Sequence, residues 1–221
     1  MTASVTVVPA AELCPGRDCP RCPRLVAYRH DMRALHADWH NAPVPSFGPL
    51  SARLLIVGLA PGLRGANATG RPFTGDWAGD LLYATLLAKG AARGAYAERA
   101  DDGLELLDCR ITNAVRCVPP GNRPTPEEGR NCRPFLVAEM AAMPRLKVML
   151  AIGGFAHDAL LAARGLRKSA FPFAHGSHHR LPDGLMLVDS YHCSRLNTNT
   201  GRLTEAMFHA VVDDCLVLAN G

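Results

Sequence analysis

Lysine is nearly missing from this chain: 3 lysines stand against 21 arginines among 221 residues. The glycine-rich stretch GLAPGLRGANATG (58–70) contains none, and no Lys-Ser or Lys-Thr pair follows it, so it is not a Walker-type phosphate loop. Long apolar runs are also lacking; none approaches membrane-spanning length. The opening residues MTASVTVVPAAEL show no basic stretch leading into an apolar one, which is the pattern of an export leader. A cytoplasmic protein without membrane association is expected. Internal repeats and linkers are absent too, so one domain over 1–221 is expected, and 48% hydrophobic residues suffice for a core.

The arginines suit a polyanionic partner, because guanidinium forks match phosphate oxygens, although a compositional habit of the source would give the same excess. A net charge of +4 permits such a partner without requiring one. Eight cysteines stand at 14, 19, 22, 109, 117, 132, 193 and 215. In a chain without an export signal, metal ligation is a better account of closely spaced cysteines than disulfides are.

Short apolar runs at 53–58, 111–115, 147–152 and 184–190 read as buried strands. Helical patterns fall at 25–40, 80–89, 126–143, 155–164 and 203–219. Residues 1–24 form a Pro- and Cys-rich lead, 91–107 fit no single pattern, and 165–183 read as loop. The alternation predicts an α/β fold: a three-layer α/β/α sandwich around a mostly parallel, four-stranded central sheet. Ligands bind such sheets outside the carboxyl ends of the strands. Segments 58–79, 113–123 and 191–202 converge there, rich in Gly, Asn, Thr, His and Arg.

Cys19 and Cys22 form a C-x-x-C pair between prolines, and Cys117 and Cys132 could complete four thiolate ligands for zinc or for an iron–sulfur cluster. Spacing does not choose between the two metals, and Cys14 competes as a ligand. Cys109 and Cys215, in apolar surroundings, read as ordinary buried thiols. His175, His178 and His179 lack ligand spacing backed by a carboxylate and read as solvated surface. Beside a phosphate-binding loop and a zinc-dependent hydrolase, a base-handling pocket is a third chemistry that fits the strand-end loops. An extruded nucleobase needs a ring to stack on and polar groups at its edge. Phe73 can stack, Asn113 can pair with the edge, and His192 can donate to an oxygen gaining charge. Asp76 can direct a water or face a cationic sugar, though an aspartate just before a helix is also a natural cap.

The segments GLAPGLRGANATGRPFTGDWAG (58–79), TNAVRCVPPGNRPTPEEGRNCRPFL (112–136) and SYHCSRLNTNTGRLT (190–204), with the leading CPRCPRL, resemble the motifs of the uracil-DNA glycosylase superfamily. They are most similar to family 5, the type B branch. The resemblance implies a DNA repair enzyme that flips uracil, and other deaminated bases such as hypoxanthine, out of DNA and hydrolyses the N-glycosidic bond. It implies a [4Fe–4S] cluster on Cys19, Cys22, Cys117 and Cys132 and DNA as partner; for a repair enzyme of this size, action as a monomer is expected. Asp76, His192 and Asn113 would be catalytic. The loop Gly58, Leu59, Ala60, Pro61 and Gly62 would approach base and sugar, with Phe73 against the base. Arg71, Arg123, Arg195, Asn197 and Arg202 would face the DNA, with Arg116 a further candidate. Leu196 stands where a wedge would fill the gap left by the base.

The sequence departs from the related family 4 at Leu59, where that family carries a glutamate; the duty on the water would pass to Asp76. His192-Cys193-Ser194 replaces the commoner His-Pro-Ser. The competing readings are a zinc- or Fe–S-stapled nucleic-acid binding module without catalysis, which would not need Asp76, and a phosphate-loop nucleotide enzyme, which would need a divalent ion.

Overall fold

The computed structural model describes residues 13–221; the opening segment read above for a leader lies mostly outside the described residues. The chain enters through α1 (Pro23–Leu35). This helix stops short of the expected 25–40, because the Asn41 side chain donates to the carbonyls of Met32 and His36, at 3.3 and 2.6 Å, and closes its last turn. Then come β1 (Leu54–Gly58), the single turn α2 (Ala66–Thr69) and α3 (Trp77–Ala88). The undecided stretch 91–107 holds a two-stranded antiparallel ribbon, β2 (Ala92–Arg93) and β3 (Glu105–Leu106). Next are β4 (Cys109–Asn113) and α4 (Pro126–Ala141), the latter opened by a Thr125/Glu128 capping box with Pro126 in its first turn. The chain continues through β5 (Val148–Ile152), α5 (Gly154–Ala163), β6 (His178–Arg180), β7 (Met186–Ser190), α6 (Arg195–Asn199) and α7 (Glu205–Asn220).

The central sheet runs β4-β1-β5-β7-β6. Its first four strands are parallel, and β6 pairs antiparallel with β7 along the edge. The sheet therefore has five strands rather than four. The fifth, His-His-Arg, has three residues and no apolar run, so nothing in its sequence separates it from a loop. Elsewhere the alternation of side chains across a strand builds the layers. Leu54 and Ile56 of β1, with Ile111, Leu150 and Val188, face α3 and α7 and pack on Leu82, Leu86, Phe208 and Val212. Leu55 and Val57, with Met149, Ala151 and Leu187, face the other way onto Leu136 and Met140 of α4 and Leu160 and Leu161 of α5. The result is an α/β/α sandwich. Among the described residues, no helix is long and apolar enough to cross a membrane.

Candidate active site

Because β1 and β4 are in parallel register, Gly58 sits beside Asn113 at their carboxyl ends. A side chain at 58 would collide with the Phe73 ring and the Asn113 amide, so glycine here lets both approach the strand. Phe73 is nearly buried and holds a left-handed backbone, φ +53°, a conformation that costs a non-glycine residue about 1–3 kcal/mol. Its ring lies 6.4 Å from that of His192, which follows β7, with 28° between the planes.

These groups wall a cavity of about 510 Å³, within the range of small-molecule sites. Leu59, Ala60, Gly62, Phe73, Asp76, Asn113 and His192 line it, joined by Trp77, Asn122, Phe155 and Arg195. Pro61 is buried behind the loop.

Asp76 is the N-cap of α3: its Oδ1 accepts from the Gly79 N–H at 3.0 Å. Its Oδ2 would lie 2.9 Å from a Cβ at Gly62 and 2.5 Å from one at Gly65, so the glycine loop makes room for the carboxylate. Burial pushes the Asp76 carboxyl pKa up, with the nearby Asp80 adding to it and the backbone bond opposing it. Burial likewise pushes the His192 pKa down, keeping the ring neutral. His192 Nδ1 is buried without a partner. A buried N–H without a partner is rarer and costlier than an unpaired acceptor, which favours the tautomer with its proton on Nε2.

Leu196 is 71% exposed on α6 beside the cavity mouth. Trp77 donates to Thr198 Oγ1 at 2.8 Å, and the Arg195 guanidinium sits 5.5 Å over its ring, so α3 holds α6 in place. Arg123, Arg195 and Arg202 are exposed.

Four expectations need correction. Arg71 does not face DNA: it is buried, bidentate to Asp102 at 2.7 Å, and stacked near Phe47, Tyr83 and Tyr96. Arg116 is buried against Glu139, and Asn197 turns inward to donate to the His192 carbonyl at 2.8 Å. His179 is not solvated surface. Its Nε2 meets Asp189 Oδ2 at 3.1 Å, while His157 bridges Asp189 Oδ1 at 2.7 Å and the Phe171 carbonyl at 2.8 Å. The three donor atoms on His157, His179 and Asp189 lie close enough together for a metal ion, but each is already satisfied within this network. The network fastens the 171–179 segment to β7, which delivers His192.

Cys19, Cys22, Cys117 and Cys132 line a second cavity with Leu25, Val115 and Phe135; Cys14 is not among its walls. Nitrogen donors approach three of the sulfurs: Asn131 Nδ2 to Cys22 at 3.7 Å, Arg29 Nη1 to Cys117 at 3.8 Å and the Arg116 amide to Cys132 at 3.3 Å. No three of the sulfurs lie within 4.8 Å of one another. A single tetrahedral zinc with Zn–S bonds of ~2.3 Å needs sulfurs about 3.8 Å apart.

Sequence reasoning passed over Trp77, Phe155, Asn122 and Arg29. Trp77 directly follows Asp76 and Phe155 follows a Gly-Gly strand end, so their neighbours carried a usable signal. Arg29 carried none.

The family model described as "Uracil DNA glycosylase superfamily" matches residues 45–216. The chain is 48% identical over 206 residues to a type-5 uracil-DNA glycosylase of Thermus thermophilus, covering 91% of this chain and 94% of that protein. It is 43% identical over 209 residues to a type-5 uracil-DNA glycosylase of Mycobacterium leprae, covering 91% of each chain. A type-5 uracil-DNA glycosylase of Pyrobaculum aerophilum is 43% identical over 191 residues, covering 85% of this chain and 83% of that one.

Proposed function

The chain belongs to the uracil DNA glycosylase superfamily, and from that membership we propose how its own residues cut the bond between uracil and deoxyribose. The protein is a uracil-DNA glycosylase acting in DNA repair. The observation that carries the assignment of residues is the meeting of Asp76, His192, Phe73 and Asn113 around one cavity.

The flipped uracil stacks on Phe73 and presents its polar edge to the Asn113 amide. As the glycosidic bond lengthens, the sugar gains positive character and the base becomes an anion. Neutral His192 donates its Nε2 proton in a hydrogen bond to a base oxygen, where the charge collects. The Asp76 carboxylate faces the sugar side, where it stabilises the cation and orients the attacking water. Leu59, being apolar, makes no demand on the base edge, and the size of the cavity supports entry of deaminated purines such as hypoxanthine. Leu196 enters the stack behind the departing base, and Arg123, Arg195 and Arg202 take phosphates. One copy of the chain supplies every group, as a single domain.

Cys19, Cys22, Cys117 and Cys132 would hold a [4Fe–4S] cluster. Three features support the fit: the donor set, a sulfur spacing too wide for one zinc, and the buried unpartnered nitrogen of Arg29 in the cavity wall. Bound there, the cluster supplies metal–thiolate bonds that join the N-terminal lead to the segment after β4 and to α4.

The test is incubation of the holoprotein with a duplex carrying one labelled uracil, in chelator, followed by alkali cleavage at abasic sites. Strand scission at the uracil is expected. Its absence on both uracil and hypoxanthine would return the chain to the binding-module reading.

A further inference from the structure

Arg29 lies on α1 and is 3% exposed. Its Nη2 donates to the Cys19 carbonyl at 3.1 Å, its Nη1 reaches Cys117 Sγ at 3.8 Å, and its Nε has no partner. Several arginines of this region meet acids, Arg24 with Glu128, Arg33 with Asp18, and both Arg110 and Arg116 with Glu139, while Arg21, which shares the cavity wall without an acid, is exposed to water. Arg29 has no carboxylate within ion-pair distance among the described residues. A guanidinium cannot shed its proton to escape burial, and a buried cation without a counter-charge is strongly destabilising. The chain nevertheless aims this one into the wall of the four-cysteine cavity. The negative charge must come from that cavity. Four thiolates around a 2+ core leave a surplus of two negative charges.

We propose that Arg29 is the built-in counter-ion of the four-cysteine group, and that its charge raises the reduction potential of the cluster held there and retains its iron. The inference rests on the iron–sulfur reading above. An added electron makes the cluster more negative, and a fixed cation against Cys117 favours that state through a low-dielectric gap. The Asn131 amide on Cys22 and the Arg116 N–H on Cys132 act in the same direction, but as neutral dipoles. Two arginines line the cavity: Arg21 is exposed, where water screens its charge, and Arg29 brings its full charge from within the protein.

The experiment compares the full-length holoprotein with Arg29→Lys and Arg29→Met. Iron and zinc are counted per chain, and the midpoint potential is read in a mediated spectroelectrochemical titration with dithionite as reductant. Iron loss to a chelator is timed alongside. The expected result is a lower potential and several-fold faster iron loss for Arg29→Met, with Arg29→Lys close to wild type. A Met variant that loads no iron beside a Lys variant that does also supports the proposal, because the two differ in charge. Equal potentials in wild type and Met variant overturn it, as does a Met variant that retains iron better than the Lys one. A wild type with zinc and no iron overturns the iron–sulfur reading itself, and the claim on the potential with it.

Discussion

The carboxylate of Asp76 accepts from the Gly79 amide at 3.0 Å and lines the cavity at the same time, so capping and chemistry must be separated by the choice of substitution. Asparagine caps a helix about as well as aspartate does, so Asp76→Asn preserves the start of α3 and removes only the charge. Uracil excision by Asp76→Asn is expected to fall by roughly 10²–10⁴-fold in single-turnover assays, with no loss of thermal stability. The stability sign follows from the raised pKa. A buried acid whose folded pKa lies above its unfolded one costs stability as pH rises through that interval, so wild type carries this cost at neutral pH and the variant does not. The same shift moves the acid limb of the activity profile upward from the ordinary aspartate value, with activity falling as pH drops through it. His192 is expected to add no basic limb near ~6.5, the ordinary histidine value, because burial keeps it neutral throughout the working range. A variant as active as wild type would leave Asp76 as a cap alone.

At the scale of elements, the segment Arg71–Thr74 shows how a strained turn is held. Phe73 keeps its positive φ because its neighbours are fixed on both sides. Arg71 is bidentate to Asp102 and donates from Nε to Thr74 Oγ1 at 2.8 Å, and Tyr83 donates to the Pro72 carbonyl at 2.6 Å. Asp102 sits in the turn before β3, outside every recognised motif. Asp102→Asn leaves a buried guanidinium without its acid, and breaking such a pair costs about 3–5 kcal/mol. Urea unfolding is expected to show that loss. Excision should show a raised KM with a smaller change in kcat, because the ring that receives the base is no longer pinned. An unchanged KM in the folded variant would mean that Phe73 holds its place without the clamp. This network also marks what the sequence could and could not convey. Strands β1, β5 and β7 are legible as apolar runs, β4 lies at Cys109–Asn113, two residues before the expected 111–115, and Phe73, Asp76, Asn113 and His192 stand at motif positions. An arginine, by contrast, looks the same whether it meets a phosphate or a buried acid. Arg71 and Arg116 were read outward for that reason, and their partners Asp102 and Glu139 lie 31 and 23 residues away. The β6 edge strand is set by its pairing with β7 and not by its own residues.

Over the whole molecule as described, the segment 13–35 has little of its own to hold it. Leu25 and Met32 are buried, and the other ties to the rest of the chain are polar: Arg24 to Glu128 at 2.8 Å, Asn131 Nδ2 to the Arg21 carbonyl at 2.9 Å and Arg33 Nε to the Asn41 carbonyl at 3.0 Å. Partly exposed ion pairs of this kind contribute about 0–1 kcal/mol each. The rest of the chain shares two large cores on either side of the sheet and needs none of them. Loss of the cysteine-held group should therefore release the lead before the sandwich melts. For Cys22→Ser, or wild type stripped of iron by oxidant and chelator, limited proteolysis is expected to cut first within residues 13–35. Far-UV circular dichroism should keep most of its amplitude, and the main thermal transition should move by only a few degrees. Cys117→Ser should behave alike at the lead, because both sulfurs line the same cavity. Proteolysis spread evenly over the chain, with collapse of the dichroism, would show instead that the four cysteines hold up the sheet and not just the segment in front of it.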